Sequence, residues 1–357
     1  MIQDYDRKQL LMEYQAMPLE AKIMMSVNRI HEFYTGYGSS KGYGNCYVSF
    51  SGGKDSTVLL DLVRRLYPDV KGVFVNTGLE YPEIQSFVYK QNNIDIIRPR
   101  MSFIDVITRY GYPLISKEVA EAIRVARKIK QRGYKERTQR REELTGVGGH
   151  YYSKHKWLPL VELPIKISGQ CCNIMKKETA KHYGKNNHVF PFVGTLAEES
   201  KLRRTEWLRS GCNSFSGKII SRPLSFWTEQ DILEYIKTTG INISAVYGKI
   251  EGEPGNLKCS NCERTGCIYC GFGVHIEKGK SRFQKLMELH PRGYEYCMNG
   301  GQWVNNADYD ESISEYEGKW HNWNPKALWV PSDKGLGLKR VFDWINEIYG
   351  KNFIKYE

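Results

Sequence analysis

Seven consecutive residues constrain this chain more than any other feature. The short apolar run from Asn45 to Phe50, which takes in Ser49, stops at Ser51-Gly52-Gly53-Lys54-Asp55-Ser56-Thr57. Apolar residues then resume at helical spacing from Thr57 to Tyr67. That order reads as strand, glycine-rich loop, helix. Two adjacent glycines let the backbone pass close to a ligand, and the start of the following helix presents free N–H groups at the positive end of its dipole. The pattern predicts a phosphate cradle. Its spacing matches neither G-x-x-x-x-G-K-S/T nor G-x-G-x-x-G, so it is neither a Walker loop nor a dinucleotide-binding turn.

The flanking sequence sets the cradle in an α/β frame. Apolar runs at Gly72 to Val75 and Ile94 to Ile97 each precede a helical pattern, from Tyr81 and from Phe103, and strands alternating with helices imply a doubly wound, mostly parallel sheet. The pattern returns at Val189 and continues through a helix, Thr228 to Thr239, that Thr228 caps. An amphipathic helix precedes the sheet, with Leu19, Ile23, Val27 and Ile30 on one face. Beyond residue 240 come a Cys/Gly-rich segment, a helical piece at 281–298, an aromatic polar stretch and a last helix from Leu338 to Tyr349. The expected division is an N-terminal helical segment (1–44), a nucleotide-binding domain (45–240) with a basic helical insertion at about 117–150, and a Cys-rich, helical C-terminal elaboration (241–357).

Four segments in this order resemble the PP-loop (adenine nucleotide alpha hydrolase-like) superfamily, and within it the phosphoadenosine phosphosulfate reductase family. Besides the loop they are Phe74-Val75-Asn76-Thr77-Gly78-Leu79-Glu80-Tyr81-Pro82-Glu83, the stretch Gly194 to Arg203 with its E-S-x-x-R element, and Arg222-Pro223-Leu224 followed by Trp227-Thr228-Glu229-Gln230-Asp231. The resemblance implies that Ser49, Ser51, Gly52, Gly53, Asp55, Ser56, Thr57, Asn76, Thr77 and Gly78 hold an adenine nucleotide, ATP or an adenylyl sulfonucleotide. It makes Lys54 a charge at the lip of the loop. Glu199 and Arg203 stand four apart, so both fit one helical face, where the guanidinium can neutralise phosphate charge. With Lys54 and Asp55 they are the catalytic candidates. Bound Mg²⁺ needs oxygen ligands, and Asp55 is the nearest candidate.

Nine cysteines in a chain without an export signal point to metal or redox chemistry rather than a disulfide framework. In the resembled family, members that reduce the unphosphorylated sulfonucleotide carry a Cys-Cys pair and a later C-x2-C that bind a 4Fe-4S cluster. Cys171-Cys172 and Cys267-x2-Cys270 are the equivalents, with Cys262 as an alternate ligand and Lys176-Lys177 suited to an anionic substrate. A local reading competes, because Cys259, Cys262, Cys267 and Cys270 are four thiolates in twelve residues, compatible with zinc. Cys46, Cys212 and Cys297 have no partner at ligand spacing, and His275 reads as structural or phosphate-side.

The reaction follows from a departure. Sulfonucleotide reductases attack sulfur with a cysteine in a mobile C-terminal tail, and this sequence has no cysteine after Cys297. The resemblance is therefore nearest in type to the DNA phosphorothioation members, which join an ATP-pyrophosphatase site to an iron–sulfur cluster and take sulfur from a cysteine desulfurase. A net charge of +12 and the basic stretch with Arg124, Arg127, Lys128 and Lys130 favour a nucleic-acid acceptor, DNA or tRNA. Sulfonucleotide reduction is the alternative, and an inactive nucleotide-sensing regulator is a second. With 41% hydrophobic residues, no apolar run of membrane-spanning length and no secretory pattern, a cytoplasmic chain is expected, with a homo-oligomer among the partner expectations.

Overall fold

The structure is a computed structural model that describes residues 4–36, 45–127, 154–317 and 320–357. Among them no helix is long and apolar enough to cross a membrane. The described chain forms two compact units that interleave in sequence: residues 1–99 with 177–266, and 100–176 with 267–357. The three sequential segments expected from the sequence do not follow these units.

The first unit carries the sheet. Its strands are β1 (Cys46–Ser49), β2 (Lys71–Val75), β3 (Ile94–Ile97), β4 (Phe190–Val193), β5 (Asn213–Ser214) and β6 (Ile220–Ser221), in the spatial order β3-β2-β1-β4-β6-β5. All pairings are parallel except the edge pair β5–β6. Consecutive buried residues Cys46, Tyr47 and Val48 fit a strand covered on both faces. The strand order reverses between β1 and β4, and a doubly wound sheet leaves its ligand crevice at the carboxyl ends of the strands flanking such a reversal. The glycine-rich loop is the exit from β1.

Helices α1 (Asp4–Ala16), α2 (Leu19–Thr35), α3 (Lys54–Leu66), α4 (Pro82–Tyr89), α5 (Thr179–Asn187), α6 (Lys201–Ser210) and α7 (Glu229–Thr239) complete this unit. Helix α3 buries Val58, Leu59, Leu60, Leu62 and Val63, which fixes its first turn at the sheet's carboxyl edge. Two of the four family-like segments have structural duties here. Thr228 and Asp231 form a reciprocal capping box at the start of α7, and Lys22 of α2 reaches Asp231 at 2.7 Å in a buried ion pair. The helix expected from Glu198 begins later. Ser200 adopts an extended conformation and caps α6, leaving Glu199 in the preceding turn.

The second unit contains the helices Phe103–Tyr110, Lys117–Ala126, Arg282–Leu289, Pro291–Met298 and Leu338–Tyr349. The helical piece at 281–298 is two helices, since Pro291 cannot continue the first. A segment at its centre, residues 111–117, pairs on two sides. Tyr112 bridges Ile167, and Leu114–Ile115 runs parallel to Gly271–Phe272.

Candidate active site

The loop from Ser51 to Thr57 leaves β1 and leads into α3, the strand–loop–helix order expected from the sequence. Gly52 has φ 73° and an added Cβ there would lie 2.7 Å from Val88 and 2.8 Å from Ile84, so only glycine fits the turn. Gly53 caps α3 in an extended conformation. Ser56 locks the turn, accepting from the Ser51 amide at 3.1 Å and donating to the Gly53 carbonyl at 2.8 Å, to which Thr57 also donates at 3.0 Å. Ser49 ends β1. Gly194, at the exit of β4, has no room for a side chain because Asp55 O is 2.9 Å from where a Cβ would sit. That close approach sets the segment containing Glu199 and Arg203 beside the loop.

At the end of β2, Asn76 is buried, donates to Tyr89 Oη at 2.8 Å and accepts from the Gly78 amide at 3.0 Å. Thr77 donates to Glu80 at 2.7 Å, and its amide donates to the same carboxylate. Gly78 has φ 74° with open space on its side-chain side. This turn is held rigid by its own side chains.

Lys54 departs from expectation. Its side chain is only 3% exposed and points inward: Nζ lies 2.9 Å from Glu229 Oε1 and 3.8 Å from Asp55 Oδ1, and donates to the Glu263 carbonyl at 3.0 Å. It is a buried counter-ion, not a charge at the lip. Burial opposes its charge, but Asp55 and Glu229 outweigh that and raise its pKa. Asp55 is shifted upward, first by burial, while Lys54, Arg264 and Arg203 pull the other way. Asp55 Oδ1 is buried with no hydrogen bond. An acceptor left in that state costs on the order of 1–3 kcal/mol. It is the kind of atom a Mg²⁺ ion would satisfy. Glu199 and Arg203 form an ion pair, with Glu199 also accepting from the Leu196 amide at 2.9 Å. Burial lowers the Arg203 pKa and Asp55 counters it.

Sequence alone does not single out Tyr247, Glu229, Arg264 and Thr265 as site residues. Tyr247 Oη accepts from the Lys54 amide at 3.1 Å and lies 2.7 Å from Thr265 Oγ1, and Arg264 faces Glu229 at 3.9 Å. Glu229 adjoins a capping threonine, a signal that could have flagged it. Tyr247 and Thr265 belong to no motif.

In the second unit, Cys171, Cys172, Cys267 and Cys270 come together closely enough for their charges to interact. The scaffold is the 111–117 segment: the Tyr112 amide donates to Lys166 O at 2.8 Å, and the Gly273 amide donates to Ile115 O at 2.8 Å. Cys171 is hydrogen-bonded to Cys172, which raises Cys171; burial adds to the rise. Cys172 is lowered, first by that hydrogen bond and then, against burial, by Lys117 and Lys176. Cys270 is pushed up to about 11 by burial. By residue type, four cysteines are a donor set that an iron–sulfur cluster takes. Even so, among the described residues no three His, Cys, Asp or Glu side chains stand in a metal-holding arrangement. Cys259 and Cys262 belong to the first unit, where Cys259 feels Lys54, Glu229, Glu263 and Cys262. His275 packs against Trp157 and Phe353.

The expected nucleic-acid contacts fare unevenly. Arg127 is corrected: its guanidinium is buried, donates to the carbonyls of Val161, Leu160, Ile165 and Leu163 at 2.5–3.1 Å, and lies 4.4 Å from the Trp323 ring centroid. It holds the unit together, and its burial keeps it from phosphate. Arg124 pairs with Glu121 at 2.5 Å. Lys128 and Lys130 lie outside the described residues.

With this geometry in place, comparison with known proteins decides the family. The profile of the phosphoadenosine phosphosulfate reductase domain matches residues 45–96 and 96–271, more than half of the chain. The chain belongs to that family. Membership makes it an adenine-nucleotide-binding protein of the PP-loop type. An uncharacterized protein of Methanocaldococcus jannaschii is 22% identical over 291 residues, covering 81% of this chain and 54% of that protein. The chain thus spans about half the length of this curated relative. Among solved structures, a phosphoadenylyl-sulfate reductase from Candida auris aligns at 14% identity and TM-score 0.32, covering 64% of this chain and 89% of that one. Candida glabrata FMN adenylyltransferase aligns at 10% identity and TM-score 0.34, covering 70% and 68%.

Proposed function

We propose that this phosphoadenosine phosphosulfate reductase family member activates a substrate with ATP, releasing pyrophosphate, and couples this to iron–sulfur-dependent transfer of sulfur onto nucleic acid. The observation that carries the first half is the convergence of Lys54, Arg203 and Arg264 on the buried Asp55 at the start of α3. Lys54, Arg203 and Arg264, gathered with Asp55 and Glu229 at a helix N-terminus, support a site for polyphosphate with a metal ion on Asp55. The cations and backbone N–H groups bind and orient the phosphates; charge that develops on departing pyrophosphate is stabilised there.

Cys297 supports the choice of reaction. It is fully buried in the helix Pro291–Met298 and burial holds its thiol well above the ordinary range, which leaves it unsuited to attack a sulfonucleotide. Cys171, Cys172, Cys267 and Cys270 are the residues that would hold an iron–sulfur cluster, which would supply sulfur and electron chemistry beside Lys117 and Lys176. A cysteine desulfurase is the proposed sulfur donor. The nucleic-acid acceptor rests on the +12 charge and on the basic residues beyond Arg127.

The family's name gives the second reading, sulfonucleotide reduction, and Lys117 beside Cys172 would suit an anionic sulfonucleotide. Pyrophosphate release from ATP, with no sulfite from adenylyl sulfate, is the expected result with protein purified without oxygen; sulfite release reverses the choice. Gly53→Val places a branched side chain against Ser51 and Tyr247, each 3.3 Å from the added Cβ, and is expected to abolish ATP binding with little loss of fold.

A further inference from the structure

A phosphate oxygen entering the cradle would meet the first amides of α3. One of these is already taken by the chain itself, since the Lys54 N–H donates to Tyr247 Oη at 3.1 Å. Tyr247 Oη lies 2.7 Å from Thr265 Oγ1, so the two hydroxyls act together. Both press on the face that Gly53 leaves bare: a Cβ there would lie 3.3 Å from Tyr247 Oη and 3.6 Å from Thr265 Oγ1. The Lys54 ammonium is engaged in the same way, by Glu229 at 2.9 Å and the Glu263 carbonyl at 3.0 Å. Backbone donor and cation are therefore each satisfied by an oxygen from residues 229–265. Tyr247 is 1% exposed, so no ligand reaches the Lys54 amide while the tyrosine stays in place. Gly248, next in sequence, has φ 70°, a conformation that glycine adopts without penalty.

We propose that Tyr247 and Thr265 form a phosphate surrogate, a strap that occupies the cradle when no nucleotide is bound and yields to a nucleotide's polyphosphate. This rests on the reading of residues 51–57 as the nucleotide site. The exchange is favourable because a neutral hydroxyl makes an ordinary hydrogen bond, whereas phosphate makes charge-assisted ones to the same amide and pairs with Lys54. The strap also gives the buried Lys54 amide an acceptor. The cost is affinity: a hydrogen bond present only in the empty state lowers apparent binding by the fraction of molecules whose cradle is open.

The test is calorimetric titration of ATP into the full chain and its variants. Tyr247→Phe removes the hydroxyl and leaves the ring, and ATP is expected to bind roughly two- to tenfold more tightly, the range that one net hydrogen bond accounts for. Thr265→Val should act in the same direction, and the double variant should gain less than the product of the two, because both remove one shared interaction. Thr265→Ser keeps a hydroxyl and should match the wild type. Unchanged affinity in Tyr247→Phe would mean that the hydroxyl stays put when ATP binds, and weaker affinity would make Tyr247 a ligand of the bound phosphates; either overturns the strap. Tightening by Thr265→Ser equal to that by Thr265→Val also overturns it. Thermal melts of each variant with and without ATP separate a folding defect, which lowers both melting temperatures, from strap release, which widens the gap between them. If Gly53→Val binds ATP as well as the wild type does, the nucleotide-site reading itself falls, whatever the strap variants do.

Discussion

Cys172 shows how far one neighbour can move a side chain's chemistry. A thiol in apolar surroundings is normally pushed up, as Cys46 is, to about 12, by burial. Cys172 moves the other way because it accepts the Cys171 proton and faces Lys117. The hydrogen bond therefore favours the proton on Cys171 and the negative charge on Cys172. In metal-free protein, alkylation by iodoacetamide is expected to label Cys172 at a lower pH than an ordinary thiol, while Cys171 is labelled only at higher pH because it donates its proton to Cys172. Lys117→Met should move the pH of Cys172 labelling upward. Peptide mass spectrometry after timed alkylation reads both sites, and preferential labelling of Cys171 would contradict the assignment. None of this was legible in the order Cys-Cys, because Lys117 lies more than fifty positions away in sequence and only the fold brings it to the sulfur.

At the scale of elements, the segment 111–117 joins both cysteine-bearing stretches, and it does so under strain. Ile115 has φ 65°, a left-handed conformation that a β-branched side chain adopts only when its surroundings hold it there. Leu114 and Ile115 are fully buried, and Gly271 packs against them so tightly that an added Cβ would sit 2.6 Å from Pro113 O. Gly271→Ala must part these strands. It is expected to cost about 1–3 kcal/mol, the usual penalty for overpacking, and to lower iron retention after anaerobic reconstitution. Gly266→Ala, which meets nothing within 4 Å, serves as the control and should leave both unchanged. Iron content that survives Gly271→Ala would show that the strand pairing does not position the ligands. The sequence announced regular elements well, because periodicity and capping act locally: Ile94–Ile97, Thr228 capping α7, and Leu338–Tyr349 stand where they were expected. The two-residue strands at 114–115 and 271–272 have too little length to leave a periodic trace.

At the scale of the whole molecule, the two interleaved units explain what composition could and could not convey. A net charge of +12 is a property of the entire chain, whereas the duty of each arginine depends on which unit encloses it. Arg127 stands in a basic run that reads as a row of phosphate ligands. Its helix buries Val119, Ala120, Ile123 and Ala126, and the guanidinium closes that helix onto four carbonyls of the 160–165 stretch. Burial lowers its pKa to about 9. The two roles give opposite signatures. Arg127→Met leaves buried carbonyls without donors and is expected to destabilise by about 3 kcal/mol or more, lowering the denaturation midpoint while leaving the salt dependence of duplex binding intact. Neutralising Lys128 and Lys130 together tests the nucleic-acid reading. If they meet phosphates, it should reduce the log–log slope of binding against salt by roughly 0.9 for each phosphate no longer neutralised. Duplex titrations from low to physiological salt, beside urea denaturation of the same variants, separate the cases. Should Lys128 and Lys130 leave the slope unchanged as well, the basic stretch would lose its claim on nucleic acid, and sulfonucleotide reduction would become the better account of a family fold with its cysteines gathered beside Lys117.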